Sequence, residues 1–158
     1  MEAVTSSGTA VLTLPTDEQI LITREFDAPK HLVYKAFTTP ELVKRWWNAK
    51  RGEVTVAEID LRVGGRCELT MVQRRSGTEY PVRYEIVELV EPELIVLRCE
   101  PMPEMGLPDG TVTRVEFHDH GEKTRMTLSD GPYPPAGRGH AEAGWNAAFA
   151  KLAAVVAG

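Results

Sequence analysis

His118, Asp119 and His120 are consecutive in a chain that has four histidines in all. On an extended strand, residues two apart point to the same side, so the two imidazoles and the carboxylate near them could begin a metal site. A metal needs a third ligand and usually a fourth. Nothing at ligand spacing accompanies the pair, so no metal is expected. His31 and His140 stand near the starts of expected helices without an identifiable carboxylate partner, and neither GxSxG nor HExxH occurs. No residue is assigned as catalytic, and no cofactor is expected.

What is left for chemistry is a few polar groups set among apolar ones. Arg24 shares a strand face with Ile20, Ile22 and Phe26, and Tyr84 lies between Val82 and Ile86 at the same two-residue spacing. With Glu88 or Thr124 they could bring general acid or base work into an apolar cleft. For Arg24 the competing reading is an ion pair with a carboxylate at the rim, because buried charges are usually paired. Trp46 and Trp47 are the second feature. Adjacent helical residues point about 100° apart. Trp46 continues the stripe of Leu42 and Val43 and is expected in the core, while Trp47 is expected at an opening, facing Trp145. Met71, Met102, Met105 and Met126 suit an adaptable apolar lining.

The elements that must position these residues follow from periodicity. Gln19 to Phe26 reads as a strand. Leu32, Val33, Ala36 and Phe37 recur at helical spacing after Pro29, which suits a first turn. Thr39 as N-cap, Pro40 at the first helical position and Glu41 mark a second short helix. Alternation then predicts strands at about 53–60, 66–74, 79–89, 94–100, 111–118 and 123–129, with turns short enough for an antiparallel meander. Cys67, Leu69 and Met71, Val82, Tyr84 and Ile86, Ile95, Leu97 and Cys99, Val115 and Phe117, and Thr124, Met126 and Leu128 share one face. That face needs a cover, and the segment from His140 supplies a helix whose stripe is Trp145, Ala148, Phe149, Leu152 and Val156. A cleft is expected between them, with Trp47, Met71, Tyr84, Leu97, Phe117, Met126, Trp145, Phe149 and Arg24 as its ligand-binding residues.

A chain of 158 residues suits one domain that buries roughly 70% of its unfolded surface. Residues 1–17, rich in Ser, Thr, Ala and Gly, read as a mobile lead or loosely attached strand, and 18–158 as a single folded domain. Eighteen Lys and Arg against 23 Asp and Glu, without a block of either sign, argue against nucleic acid as partner. The N-terminus lacks the pattern of a signal peptide and no apolar run approaches a bilayer span, so a cytoplasmic protein without membrane insertion is expected. Cys67 and Cys99 read as reduced, buried thiols.

Five separated segments carry a resemblance: "REFDAPKHLVYKAFTTPELVKRWW", "EIDLRVGGRCEL", "YEIVELVEPELIVL", "VEFHDHGEKTRMTL" and "HAEAGWNAAFAKLAAVV". In this order they resemble the START-like, or SRPBCC, superfamily, in the branch named after the activator of the 90-kDa heat-shock-protein ATPase. The resemblance covers about residues 18–157. It implies an α+β helix-grip fold: an antiparallel sheet of six to seven strands, two short helices after the first, and a long C-terminal helix across the sheet. The chain departs from the common pattern in "DGPYPPAGRGH", which is short where family members often carry a longer acidic segment in a lid position. The function expected is binding of a small hydrophobic or amphipathic molecule, without demonstrated catalysis. The alternatives are an enzyme of polyketide-cyclase type in the same cavity and a chaperone partner. That last activity is associated in the lineage with larger proteins carrying a further N-terminal domain, so a chaperone partner is not expected here. A homodimer is compatible with the sequence but specified by nothing in it.

Overall fold

The alternation after Gly52 becomes a run of antiparallel strands in the computed structural model, which describes residues 3–7, 10–14, 19–47, 52–103 and 107–157. In chain order they are β1 (Ala3–Ser7), β2 (Ala10–Leu14), β3 (Ile20–Phe26), β4 (Gly52–Ile59), β5 (Arg66–Gln73), β6 (Glu79–Val90), β7 (Leu94–Cys99), β8 (Thr111–His120) and β9 (Lys123–Gly131). Helices α1 (Lys30–Thr38) and α2 (Pro40–Trp46) follow β3, and α3 (Pro135–Ala157) closes the chain. The sheet order is β1-β2-β3-β9-β8-β7-β6-β5-β4. Strands β4 to β9 are the expected six-stranded meander, β3 pairs with β9, and the fold is the α+β helix grip. The hairpin β1–β2 lies inside the stretch read as a lead and pairs with β3. The remaining residues of that lead, and Met105, lie outside the described residues.

Register carries single residues into rows across the sheet. Cys67 pairs with Tyr84, Tyr84 with Cys99, and Cys99 with Thr111. A neighbouring row runs Ile86, Leu97, Thr113, Asp130 and Ile20. A register shift between Ile86 and Glu88 changes which residues face inward: Leu89 packs on the core and Glu88 is exposed. The expectation of Glu88 in the cleft is therefore corrected. Thr124 is buried, but its hydroxyl donates to the Ala28 carbonyl at 2.7 Å, a bond that ties β9 to the chain entering α1.

Helix α3 packs against β3, α1 and α2. At that end Phe26, Trp46, Phe117, Met126, Phe149 and Leu152 are all fully buried. Phe149 meets Phe26 edge-on at 6.2 Å, and Phe117 lies edge-on to Phe37 at 5.3 Å and to Tyr34 at 5.8 Å. Trp46 donates its indole N–H to the Ala36 carbonyl at 3.0 Å, which pins α2 to α1. Pro29 sits at the N-cap of α1, one position earlier than expected, and Thr39 holds the N-cap of α2 without a side-chain cap bond.

Candidate functional site

The first half of α3 stands off the sheet because its inner stripe is small. Gly137, Ala141, Gly144 and Ala148 recur at helical spacing, with His140 and Trp145 beside them, and all six line a cavity of about 220 Å³. Phe149 and Leu152 follow on the same helix and close the gap to the sheet. The floor is Met71, Val82, Cys99 and Thr111, all buried, from β5, β6, β7 and β8. Met102 and Leu107, which bridge one to the other across the loop after β7, form one side, and Tyr133 and Pro134 before α3 form another. Pro134 and His140 are exposed, so the opening lies at the start of α3.

Three aromatic rings form the inner wall. Trp47 is edge-on to Tyr84 at 5.9 Å and to Trp145 at 5.3 Å. A second void of about 30 Å³, lined by Phe37, Leu97, Thr113 and Val115 among others, also touches Trp47 and Trp145. The two indoles therefore stand between the voids.

Behind this wall sits Asp130, almost fully buried. Its Oδ1 accepts from the Thr113 hydroxyl at 2.8 Å; its Oδ2 accepts from the Trp145 indole N–H at 2.8 Å and from the Tyr133 hydroxyl. One carboxylate thus joins β8, the linker before α3 and α3 itself. Burial pushes its pKa up, against the pull of those bonds and of the Gly131 backbone. Burial likewise raises the Tyr84 hydroxyl well above its ordinary value and the Cys67 and Cys99 thiols to about 11. Among the described residues, no Asp, Glu, Lys or Arg lines the cavity.

Of the residues expected to bind ligand, Trp47, Met71, Tyr84 and Trp145 come together around the larger cavity, and Leu97 lines the smaller void. Phe117, Met126 and Phe149 line neither; they are fully buried where α3 meets the sheet, which corrects their placement to the core. Arg24 also lines neither. Its guanidinium lies 5.6 Å from the Phe26 ring centre, its Nε is buried without a hydrogen bond, and no carboxylate pairs with it among the described residues. The expected rim ion pair is absent there. His118 and His120 project from the end of β8 to Glu116 at 3.5 Å and Glu25 at 3.2 Å, and no group of metal ligands forms among the described residues.

Asp130 and Tyr133 were not anticipated. The signal for Asp130 was present: Thr124, Met126 and Leu128 face inward, and one more step of two reaches it. Its place before Gly131 and Pro132 reads as turn punctuation and hides that parity.

Among known proteins, the family model described as Activator of Hsp90 ATPase homolog 1-like protein matches residues 27–157. No curated protein matches. Solved structures share the fold. Protein NE0264 from Nitrosomonas europaea has a TM-score of 0.76 at 21% identity, over 90% of this chain and 96% of that one. Protein Ms6760 from Mycobacterium smegmatis has 0.75 at 21%, over 98% of each. The AHSA1-like protein from Aeromonas hydrophila has 0.69 at 20%, over 86% of this chain and 91% of that one. No helix among the described residues is long and apolar enough to cross a membrane.

Proposed function

Because the chain belongs to the Activator of Hsp90 ATPase homolog 1-like family, whose fold is compatible with a ligand-binding cavity, we propose that it binds a small hydrophobic or amphipathic molecule between sheet and α3. The observation that carries this reading is the stripe of Gly137, Ala141, Gly144 and Ala148, which holds open an aromatic-walled space, lined by no described Asp, Glu, Lys or Arg, beside an otherwise closed core. Volume limits the guest. An apolar cavity of about 150 Å³ takes up benzene. A cavity of about 220 Å³ suits a molecule of one to two rings better than a long acyl chain. Affinity would come mainly from apolar area removed from water, at ~25 cal/mol per Å².

Binding is favoured over turnover by the chemistry of the lining. Proton transfer near neutral pH needs a group that titrates there. Tyr84 and Cys99 hold their protons to high pH, and Arg24 lies away from the cavity. His140, the one histidine on the lining, stands exposed at the opening with no carboxylate paired to it among the described residues to orient it for catalysis.

Native mass spectrometry of freshly purified protein, compared with its denatured mass, tests the reading. An excess mass that disappears on denaturation is expected, with a size matching one or two rings. No excess mass, together with unchanged tryptophan emission across a panel of one- and two-ring compounds, would refute it.

A further inference from the structure

The Tyr84 side chain lines the cavity, yet its hydroxyl forms no hydrogen bond with any described residue. Its surroundings offer none easily. Register places it between Cys67 and Cys99 on an apolar face, and Trp47 packs edge-on against its ring. Two neighbouring donors are engaged: the Tyr133 hydroxyl and the Trp145 N–H both serve Asp130. Tyr84 is half-buried and faces the open cavity, so in solution this hydroxyl, without a protein partner among the described residues, is met by water or by ligand. A pure hydrocarbon would displace that water and return nothing.

Charge can be decided in the same way. An anion placed here would meet the Asp130 carboxylate close behind the wall, with no described Lys or Arg on the lining and the one lining histidine, His140, exposed at the opening rather than beside Tyr84's wall. A cation would find no free carboxylate, because both Asp130 oxygens already accept from Thr113, Tyr133 and Trp145.

We infer that Tyr84 is a specificity-determining residue, and that the ligand class is a one- to two-ring, largely apolar molecule bearing one uncharged hydrogen-bonding group, a carbonyl or hydroxyl, directed at the Tyr84 hydroxyl. The inference rests on the binding reading above and narrows it.

Calorimetric titration with matched bicyclic probes tests it: indane, 1-indanone, indane-2-carboxylate and 2-aminoindane, against wild type and Tyr84→Phe. In wild type 1-indanone should bind roughly three- to tenfold more tightly than indane, the share of one net hydrogen bond. Tyr84→Phe should remove that preference and leave indane unchanged. Equal affinity of indane and 1-indanone in wild type, or a preference that survives Tyr84→Phe, overturns the inference while leaving the binding reading intact. Tighter binding of the carboxylate or the amine than of 1-indanone overturns the uncharged class. Wild type that takes up none of the four probes removes the binding reading and the inference together. Should Tyr84→Phe not fold, the wild-type ranking of the four probes decides the matter.

Discussion

Gly144→Leu should move stability and binding in opposite directions. Gly144 lies within α3 and lines the cavity, and a Cβ built there meets no heavy atom within 4 Å. Glycine within a helix costs ~1 kcal/mol relative to good helix formers, so the backbone alone gains about that much. A leucine side chain leans back over the preceding turn, toward Ala141 and the cavity, and partial burial there adds ~1 kcal/mol. The sum of ~2 kcal/mol corresponds to a rise in melting temperature of ~4–8 °C for a chain of this length.

The same side chain takes space from the guest. At ~0.8 kcal/mol for each CH2 displaced, a leucine side chain's worth of carbon costs the ligand ~3 kcal/mol, or about two orders of magnitude in Kd. Thermal unfolding followed by circular dichroism, and calorimetric titration with 1-indanone, read the two effects separately. A variant that is merely damaged loses both. Undiminished binding, or a lower melting temperature, would refute the placement of the cavity against the small-residue stripe.

Two further outcomes follow from the buried groups. Burial holds the Asp130 carboxyl above its ordinary 3.8, so its stabilising contribution is complete below that value and fades as pH rises through the higher folded-state value. Urea unfolding from about pH 4 to about pH 7 should therefore show wild type losing ground relative to Asp130→Asn; a gain with rising pH contradicts the sign. Phe149→Ala, at a fully buried ring packed on Phe26, Trp46 and Trp145, should cost ~3–5 kcal/mol in the same unfolding assay, and a loss below ~1 kcal/mol would return Phe149 to the ligand surface.

Strand positions were legible in the sequence because the sheet has one dry face. Period-two alternation through Cys67, Leu69 and Met71 survives every local preference, since slipping by one would expose them all. The same logic separated Trp46 from Trp47, because neighbours on a helix cannot share a direction. It failed where pattern and packing part company. Inward-facing residues are not all alike: Phe117, Met126 and Tyr84 share one apolar face, yet the first two are sealed and the third opens into space. Which inward residue meets a cavity depends on what stands opposite it, and periodicity within one strand holds no record of that. The register shift after Ile86 defeated the assignment of Glu88 for a related reason, as a bulge changes parity without changing composition.

The location of the cavity is nevertheless written in α3 rather than in the sheet. The strands below it present residues of ordinary size along their whole length, so the sheet alone would support a closed seam anywhere. Along α3 the inward positions change from Gly137, Ala141, Gly144 and Ala148 to Phe149 and Leu152 within a few turns. The large residues bring the helix down onto β3 and the rings of α1 and α2, and that end carries most of the buried aromatic surface. Anchored there, the rigid helix holds its glycine- and alanine-bearing half above Met71, Val82 and Cys99 at a distance those small side chains cannot fill. Asp130 fastens this half a second time, through Trp145 and Tyr133. Packing at the closed end therefore stabilises the open one, and a space that would otherwise collapse is kept at a size fit for a guest.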